Sequence, residues 1–341
     1  MAIIPNYQNN PGQAIKGARA GILNRWYLIA REEDLIEQQA VGIKRLGLDL
    51  VLWKSSSGIH LLEDRCPHRG AKLSQGISRG ASVICPYHGL EIGATGEVLE
   101  VPAYPDASQK GKCLVRSFPV QVICGGIWAW FGSDKDRPPG EFIPPAELTD
   151  GEWSGYLWQG TWECNWLLVM DNLADPMHAA YLHGDTYTLA HGGKADRMKL
   201  SDLPTGFRVE KEGQKDINFD WVEIHDTGAL WARLDIPYPK SAGPGGHLRI
   251  IGHVTPIDES KCLVHFMHLR KVSGWEHDLW RLLYRTVLYP RHMEVLGQDQ
   301  RVLESMPIDC TEHESLYQHD IGVSRLRRLL AAKATESGAE V

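Results

Sequence analysis

The chain has 341 residues, 43% of them hydrophobic and 23% charged, with a formal net charge of −7. That balance describes an ordinary globular protein long enough for two domains, and it argues against a nucleic-acid partner. No apolar run reaches membrane-span length. The start, MAIIPNYQNNPGQAIKG, lacks the basic stretch and apolar core of an export signal, so a cytoplasmic protein without a membrane partner is expected.

Residues 1–20 are polar and punctuated by Gly and Pro, which predicts a poorly ordered arm; the arm is drawn over 1–23. From Trp26 to about Phe142 short apolar runs (VLWK, GIHLLED, SVICPYHG, GIWAWFG) alternate with turn residues, predicting an all-β domain over 24–145. The charged, Pro-rich stretch Asp134–Pro145 marks its boundary. A helical patch at 163–183 opens a second domain over 146–341. HLRIIGHVTP and KCLVHFMHLRKV, joined by IDES, predict a hairpin, and a helical pattern runs from Glu276 to Met306 before a charged tail. Twelve tryptophans suit core packing or the walls of a pocket for flat molecules.

Two Cys–His pairs carry the chemistry of the first domain: Cys66-Pro67-His68 and Cys85-Pro86-Tyr87-His88. Together they offer two thiolates to one iron of a [2Fe–2S] cluster and two imidazoles to the other. Neutral imidazoles in place of two thiolates remove negative charge and raise the reduction potential. Gly70 and Gly89 suit tight loops closing over a cluster. The same four side chains could also form a Cys2His2 zinc set. The other cysteines, Cys113, Cys124, Cys164, Cys262 and Cys310, are scattered and read as reduced, mostly buried thiols. No G-x-G-x-x-G, P-loop or plant-type four-cysteine run is present, so electrons must come from another protein.

In the second domain, Asp171-Asn172-Leu173-Ala174-Asp175-Pro176-Met177-His178 runs on to His183. Two imidazoles and a carboxylate suit a mononuclear Fe(II) site with an open coordination face. Spacing of i,i+5 turns the second ring by about 140° on a regular helix, so His183 should lie where the helix ends, with Gly184 as its terminator.

C-x-H…C-x-x-H followed by D-N-L-x-D-x-x-H-x-x-x-x-H resembles the Rieske non-heme iron oxygenases, and most closely their vanillate- and dicamba-demethylase branch. The likeness covers residues 24–310. It implies an α+β chain: an all-β Rieske domain, then a helix-grip (START/Bet v1-like) catalytic domain. Respiratory Rieske proteins carry a bracing disulfide where this chain has Ala71 and Tyr87, so the site looks like the oxygenase or ferredoxin type. By the resemblance, Cys66, His68, Cys85 and His88 hold the cluster, and His178 and His183 hold the mononuclear iron. Asp175 bridges His178 to His88 of a neighbouring subunit in a homotrimer, and Asn172 orients that bridge. Asp299, in GQDQRVLE, is the third iron ligand, with Glu294 and Asp309 as rivals. His253 is a candidate substrate contact; Arg69 and Gln75 read as loop-structuring residues. Leu90 and Ile92 stand where Trp and Phe often follow the second pair, which alters packing but no ligand.

The resemblance further implies a terminal oxygenase that uses O2 and electrons from a reductase (flavin plus plant-type [2Fe–2S]) or a ferredoxin. It would hydroxylate, or O- or N-demethylate, an aromatic substrate. Cis-dihydroxylation or angular ring attack is the alternative, and a bare Rieske electron carrier a more distant one.

Overall fold

The computed structural model describes residues 15–134, 138–186, 189–217, 219–238 and 246–337. The alternating runs of the first half form ten short strands. They are β1 (Arg25–Arg31), β2 (Val41–Arg45), β3 (Leu48–Ser55), β4 (Gly58–Glu63), β5 (Ile77–Arg79), β6 (Ser82–Ile84), β7 (Glu91–Gly93), β8 (Val98–Glu100), β9 (Val120–Ile123) and β10 (Gly126–Phe131). They pair antiparallel in three small sheets, β1-β10-β9, β2-β3-β4 and β5-β6-β7-β8. The first Cys–His pair follows β4, and the second lies between β6 and β7.

The second half is built on a seven-stranded antiparallel sheet ordered β11-β17-β16-β15-β14-β13-β12. Its strands are β11 (Trp153–Trp162), β12 (Met198–Leu203), β13 (Gly206–Lys211), β14 (Trp221–Asp226), β15 (Leu230–Tyr238), β16 (Gly246–Pro256) and β17 (Cys262–Lys271). β16 and β17 form the predicted hairpin, closing at Pro256 opposite Cys262. Helices Trp166–Leu173 and Tyr289–Glu304 pack on one face; Leu173, Leu296 and Leu303 share a core with Ile250, Val264 and Phe266. The α+β arrangement of a β domain followed by a helix-covered sheet is thus the one adopted.

The opposite face of that sheet meets the first domain. Strand alternation sends Ile251, Met267 and Leu269 to this side, where they pack with Trp26, Leu28, Trp128 and Trp130. The tryptophans accordingly serve packing, and many of them gather at this junction. Trp26 donates its indole N–H to the Gly140 carbonyl (2.8 Å), and Ile143 pairs with Thr227, so the Pro-rich boundary is stitched across both halves.

Three expectations need correction. Residues 1–14 of the predicted arm lie outside the described residues, and the rest of it is packed: Ile15, Ala18 and Ile22 are buried in the second domain's core, and Trp166 donates to the Ala18 carbonyl at 2.8 Å. Polar neighbours concealed three apolar anchors. The predicted helix over 276–306 is split into Trp275–Leu283, a π turn at 284–288 and Tyr289–Glu304. Pro290, in the first turn of the last segment, has no N–H to continue the ladder and locally forces the wider turn. Of the five remaining cysteines, Cys113 and Cys124 are exposed, while Cys164 and Cys262 are buried. The charged tail, finally, is a helix (Ile321–Glu336) with Leu326, Arg327 and Leu330 buried.

Candidate metal centres

The two cluster loops are built alike. In each, the cysteine N–H donates to the carbonyl five residues on, Cys66 to Ala71 and Cys85 to Leu90, both at 2.8 Å. The glycine four residues on donates back to the cysteine carbonyl, Gly70 at 2.9 Å and Gly89 at 3.0 Å. Their φ values of +77° and +73° are left-handed, a conformation glycine adopts at little cost. Behind the loops, Leu90 and Ile92 pack with Val83, Cys66 and Cys85, so the smaller residues still close the core.

This frame turns both thiols inward, each 2% exposed, and leaves His68 exposed and His88 half-exposed. The two Nδ1 atoms lie 3.1 Å apart. Burial pushes the Cys66 thiol up to about 11, with Cys85 beside it. Two inward thiols and two outward, converging imidazole nitrogens fit a two-iron cluster with a solvent-facing edge. Arg69 reaches the Tyr87 hydroxyl (3.2 Å) across the two loops, consistent with its structuring role. Gln75 ends the short 3-10 turn Leu73–Gln75, and Asp64 pins that turn through Ser74.

The second site draws on distant elements. Asn165 caps the helix Trp166–Leu173 by accepting from the Leu167 N–H (3.0 Å). Pro176 separates it from a one-turn helix, Ala179–Leu182, flanked by His178 and His183, so His183 does lie at the helix end. From the far helix comes Asp299, 6% exposed. His178, His183 and Asp299 present ligand atoms within 4.8 Å of one another, with His178 Nε2 and His183 Nε2 at 3.5 and 3.4 Å from Asp299 Oδ1. That donor set and spacing fit one divalent iron. Glu294 and Asp309 are exposed and outside the group.

Neighbouring side chains orient these three. His183 Nδ1 bonds to Gln298 Oε1 (2.7 Å), and His178 Nδ1 to the Asp175 carbonyl (2.5 Å), leaving both Nε2 atoms directed at Asp299. Asn172 donates to Asp299 Oδ1 at 3.2 Å, so it orients the carboxylate rather than Asp175. The Asp175 carboxylate accepts from the Met177 N–H (2.8 Å) and remains partly exposed, 3.9 Å from His178 Nδ1. Arg327, from the last helix, donates to Asp171 (2.6 Å) and also pairs with Glu314, tying the tail to the segment that bears Asn172. Gln298 and Arg327 escaped the sequence reading; Gln298 adjoins Asp299, and that adjacency was the available clue.

The metal group opens on a cavity of ≈ 70 Å³ walled by Leu173, Phe219, Leu234, Ile250 and Phe266, with the buried His268 as a polar exception. None of the described tryptophans lines it. His253 does not line it either. In β16, Ile250 faces the cavity, and alternation sends His253 to the other face, against Tyr27 and Trp128. There His253 Nε2 accepts the Leu28 N–H (3.1 Å) and Nδ1 bonds the Leu230 carbonyl (2.7 Å). Burial lowers its pKa to about 4. It is a domain-joining residue, and the substrate assignment is withdrawn.

Residues 25–119, which contain both Cys–His loops, match the family model of the Rieske [2Fe-2S] domain. Residues 162–336 match the vanillate O-demethylase oxygenase C-terminal domain. Among curated relatives, the chain is 37% identical over 169 residues to the oxygenase component of dicamba O-demethylase of Stenotrophomonas maltophilia, covering 48% of each protein. It is 32% identical over 191 residues to the oxygenase subunit of vanillate O-demethylase of a Pseudomonas species (55% of this chain, 50% of the relative). It is 31% identical over 253 residues to the 5,5'-dehydrodivanillate O-demethylase oxygenase subunit of a Sphingobium species (69% and 55%). The chain spans about half the length of these relatives. The terminal oxygenase of carbazole 1,9a-dioxygenase from Novosphingobium sp. KA1 has the same fold, with a TM-score of 0.77 at 20% identity over 94% of this chain and 95% of that one. Two matched domains, over residues 25–119 and 162–336, place this chain in the Rieske non-heme iron oxygenase family, with a catalytic half of the vanillate O-demethylase oxygenase type.

Proposed function

We propose that the protein is the terminal oxygenase component of a multicomponent system that hydroxylates, or oxidatively O- or N-demethylates, an aromatic substrate. The observation that carries this reading is the convergence of two imidazole Nε2 atoms and one carboxylate at the edge of an apolar cavity, in a chain that also bears a Rieske domain. His178, His183 and Asp299 would hold the iron, which when bound supplies the oxygen chemistry. Gln298 and Asn172 keep the ligands aimed; the cavity walls seat a flat ring and exclude water. The relatives' names as O-demethylase subunits favour demethylation over ring dihydroxylation or angular attack.

Electrons would enter at the exposed imidazole edge of the cluster from a reductase or ferredoxin. Several solved neighbours are oxygenase–ferredoxin complexes, which supports such a donor. We assign Asp175 as the link between His178 and His88 of a neighbouring subunit in a homotrimer, since its carboxylate is partly exposed beside His178. A cytoplasmic setting suits the free thiols among the described residues. No helix among the described residues is long and apolar enough to cross a membrane.

The purified protein should be brown and hold about three irons and two inorganic sulfides per chain. With a reductase and NADH, a panel of methoxy- and N-methyl-substituted aromatics should yield formaldehyde matched to oxygen uptake. Diol products would shift the reading to dihydroxylation. A reducible cluster with no oxygen uptake on any compound would leave an electron carrier. Asp175→Asn should keep the cluster absorbance and nearly abolish turnover; substantial retained activity would remove the bridge.

A further inference from the structure

One polar side chain in the wall of the metal cavity has no part in holding the metal group. Of the polar residues that line the cavity, His178, His183 and Asp299 form the group, and Asn172 is bonded to the Asp299 carboxylate. His268 is the remaining one among the described residues, and no Lys or Arg joins it there.

Strand geometry explains its position. Alternation along β17 puts Phe266 and His268 on the cavity side, and the register sets Ile250 of β16, another wall residue, directly opposite His268. Packing from the helices then fixes the ring. It stacks on His292, with centroids 4.6 Å apart and planes 15° apart, and stands 5.7 Å from Tyr284, which the π turn carries into the core. His292 has a partner of its own, the Tyr238 hydroxyl, 3.2 Å from its Nε2. His268 is 1% exposed, and its Nδ1 is sealed in the core without a hydrogen-bond partner among the described residues.

Burial, with His292 alongside, holds the His268 imidazole well below its ordinary pKa of 6.5, so the ring is neutral and bears a single N–H. A buried N–H without an acceptor is harder to tolerate than a bare ring nitrogen. The proton therefore belongs on Nε2, the nitrogen left to face the cavity. Apolar walls and one neutral donor make a specific chemical demand. A ligand oxygen opposite Nε2 gains a hydrogen bond, whereas a carboxylate in the same place would be buried with no cationic side chain of the described wall to pair with it.

We propose that His268 is a specificity-determining contact of the metal cavity, its Nε2–H donating to an uncharged oxygen (hydroxyl, ether or carbonyl) on the aromatic substrate. The proposal deepens the oxygenase reading and rests on it. Because the ring is clamped between β17 and His292, the bond selects where the substrate oxygen lies, and with it which part of the substrate faces the metal group.

Anaerobic binding to the iron-loaded protein tests this without turnover. Isothermal titration calorimetry compares phenol with toluene and anisole with ethylbenzene, pairs of nearly equal shape that differ by the oxygen. Benzamide against benzoate compares a neutral carbonyl with an anion of the same outline. The oxygen-bearing member of each pair should bind about tenfold tighter, and benzamide tighter than benzoate by at least as much. His268→Phe, which keeps a flat ring against His292, should bring the first two ratios near one. His268→Gln, which restores an N–H donor, should recover part of them. Ratios near one in the parent for both pairs, failure of all probes to bind included, would overturn the contact. So would a tenfold ratio that survives in His268→Phe. Benzoate binding as tightly as benzamide would overturn the demand for an uncharged oxygen. If His268→Phe does not fold, the parent ratios and His268→Gln still decide, since loss of the ratios in the parent needs no variant to read. Absence of oxygen uptake on every compound of the aromatic panel sinks the oxygenase reading, whereas absent ratios in these titrations sink the His268 contact alone.

Discussion

The two metal sites of this chain are made in opposite ways. All four proposed cluster donors lie within the 23 residues from Cys66 to His88, on two loops closed by their own backbone hydrogen bonds. The mononuclear group joins His178 and His183 to Asp299, more than a hundred residues later, and becomes a site only when a helix docks on a sheet. The first is a local motif with its imidazoles toward solvent, suited to exchanging electrons with another protein. The second is enclosed by a core, suited to chemistry that must exclude water. Local assembly serves the partner-facing task and long-range assembly the substrate-facing one.

The sharpest way to break this contrast is Asp299→Ala. It should abolish turnover and empty the mononuclear site while leaving the visible spectrum of the cluster intact; a joint loss of both metals would show the sites to be interdependent. A smaller effect concerns the sheet on which the second site depends. Burial alone would raise the Glu223 carboxyl, but its hydrogen bond to His225 and the nearby Arg208 and Arg233 outweigh burial and depress it to about 2. With a folded pKa below its ordinary value of 4.5, Glu223 contributes stability above that value and loses it as pH falls through about 2. The shift corresponds to ~3 kcal/mol at most. Denaturant melts from pH 5 to pH 2 should fall less steeply in Glu223→Gln than in the parent.

Gln298→Leu removes the acceptor that orients His183. Iron affinity or activity should drop about 10- to 100-fold with the cluster unaffected; iron retention during chelator dialysis reads this directly. The smallest expected change is in the cluster loops. Gly89→Ala meets only a 3.4 Å contact with Pro102 but must hold φ near +73°, costing about 1–2 kcal/mol. Cluster retention on warming should fall, while occupancy of the mononuclear site should not.

Legibility in the sequence followed the same division. The Rieske loops could be read residue by residue, because ligand, proline and glycine occur in one short stretch and no distant contact alters their meaning. His178 and His183 were legible as a pair, and the helix end at His183 followed from their spacing. Asp299 was reached only through the family pattern; by composition alone Glu294 and Asp309 were equal rivals, and burial separates them. The error on His253 has a plain cause. A strand's alternation tells which residues share a face but not which face meets the cavity. Ile250 took that face, and His253 went to the domain junction. The hidden anchors Ile15, Ala18 and Ile22 were missed because three apolar residues among polar neighbours show no period until a core receives them.

The sequence by itself determined the cluster loops, the two-domain order, the β16–β17 hairpin and two of the three proposed mononuclear donors, because each depends on residues close together along the chain. Only the tertiary structure decided which carboxylate joined them and which neighbours held them in aim. Those outcomes depend on the register and facing of elements far apart in sequence, set by which apolar surfaces are buried together.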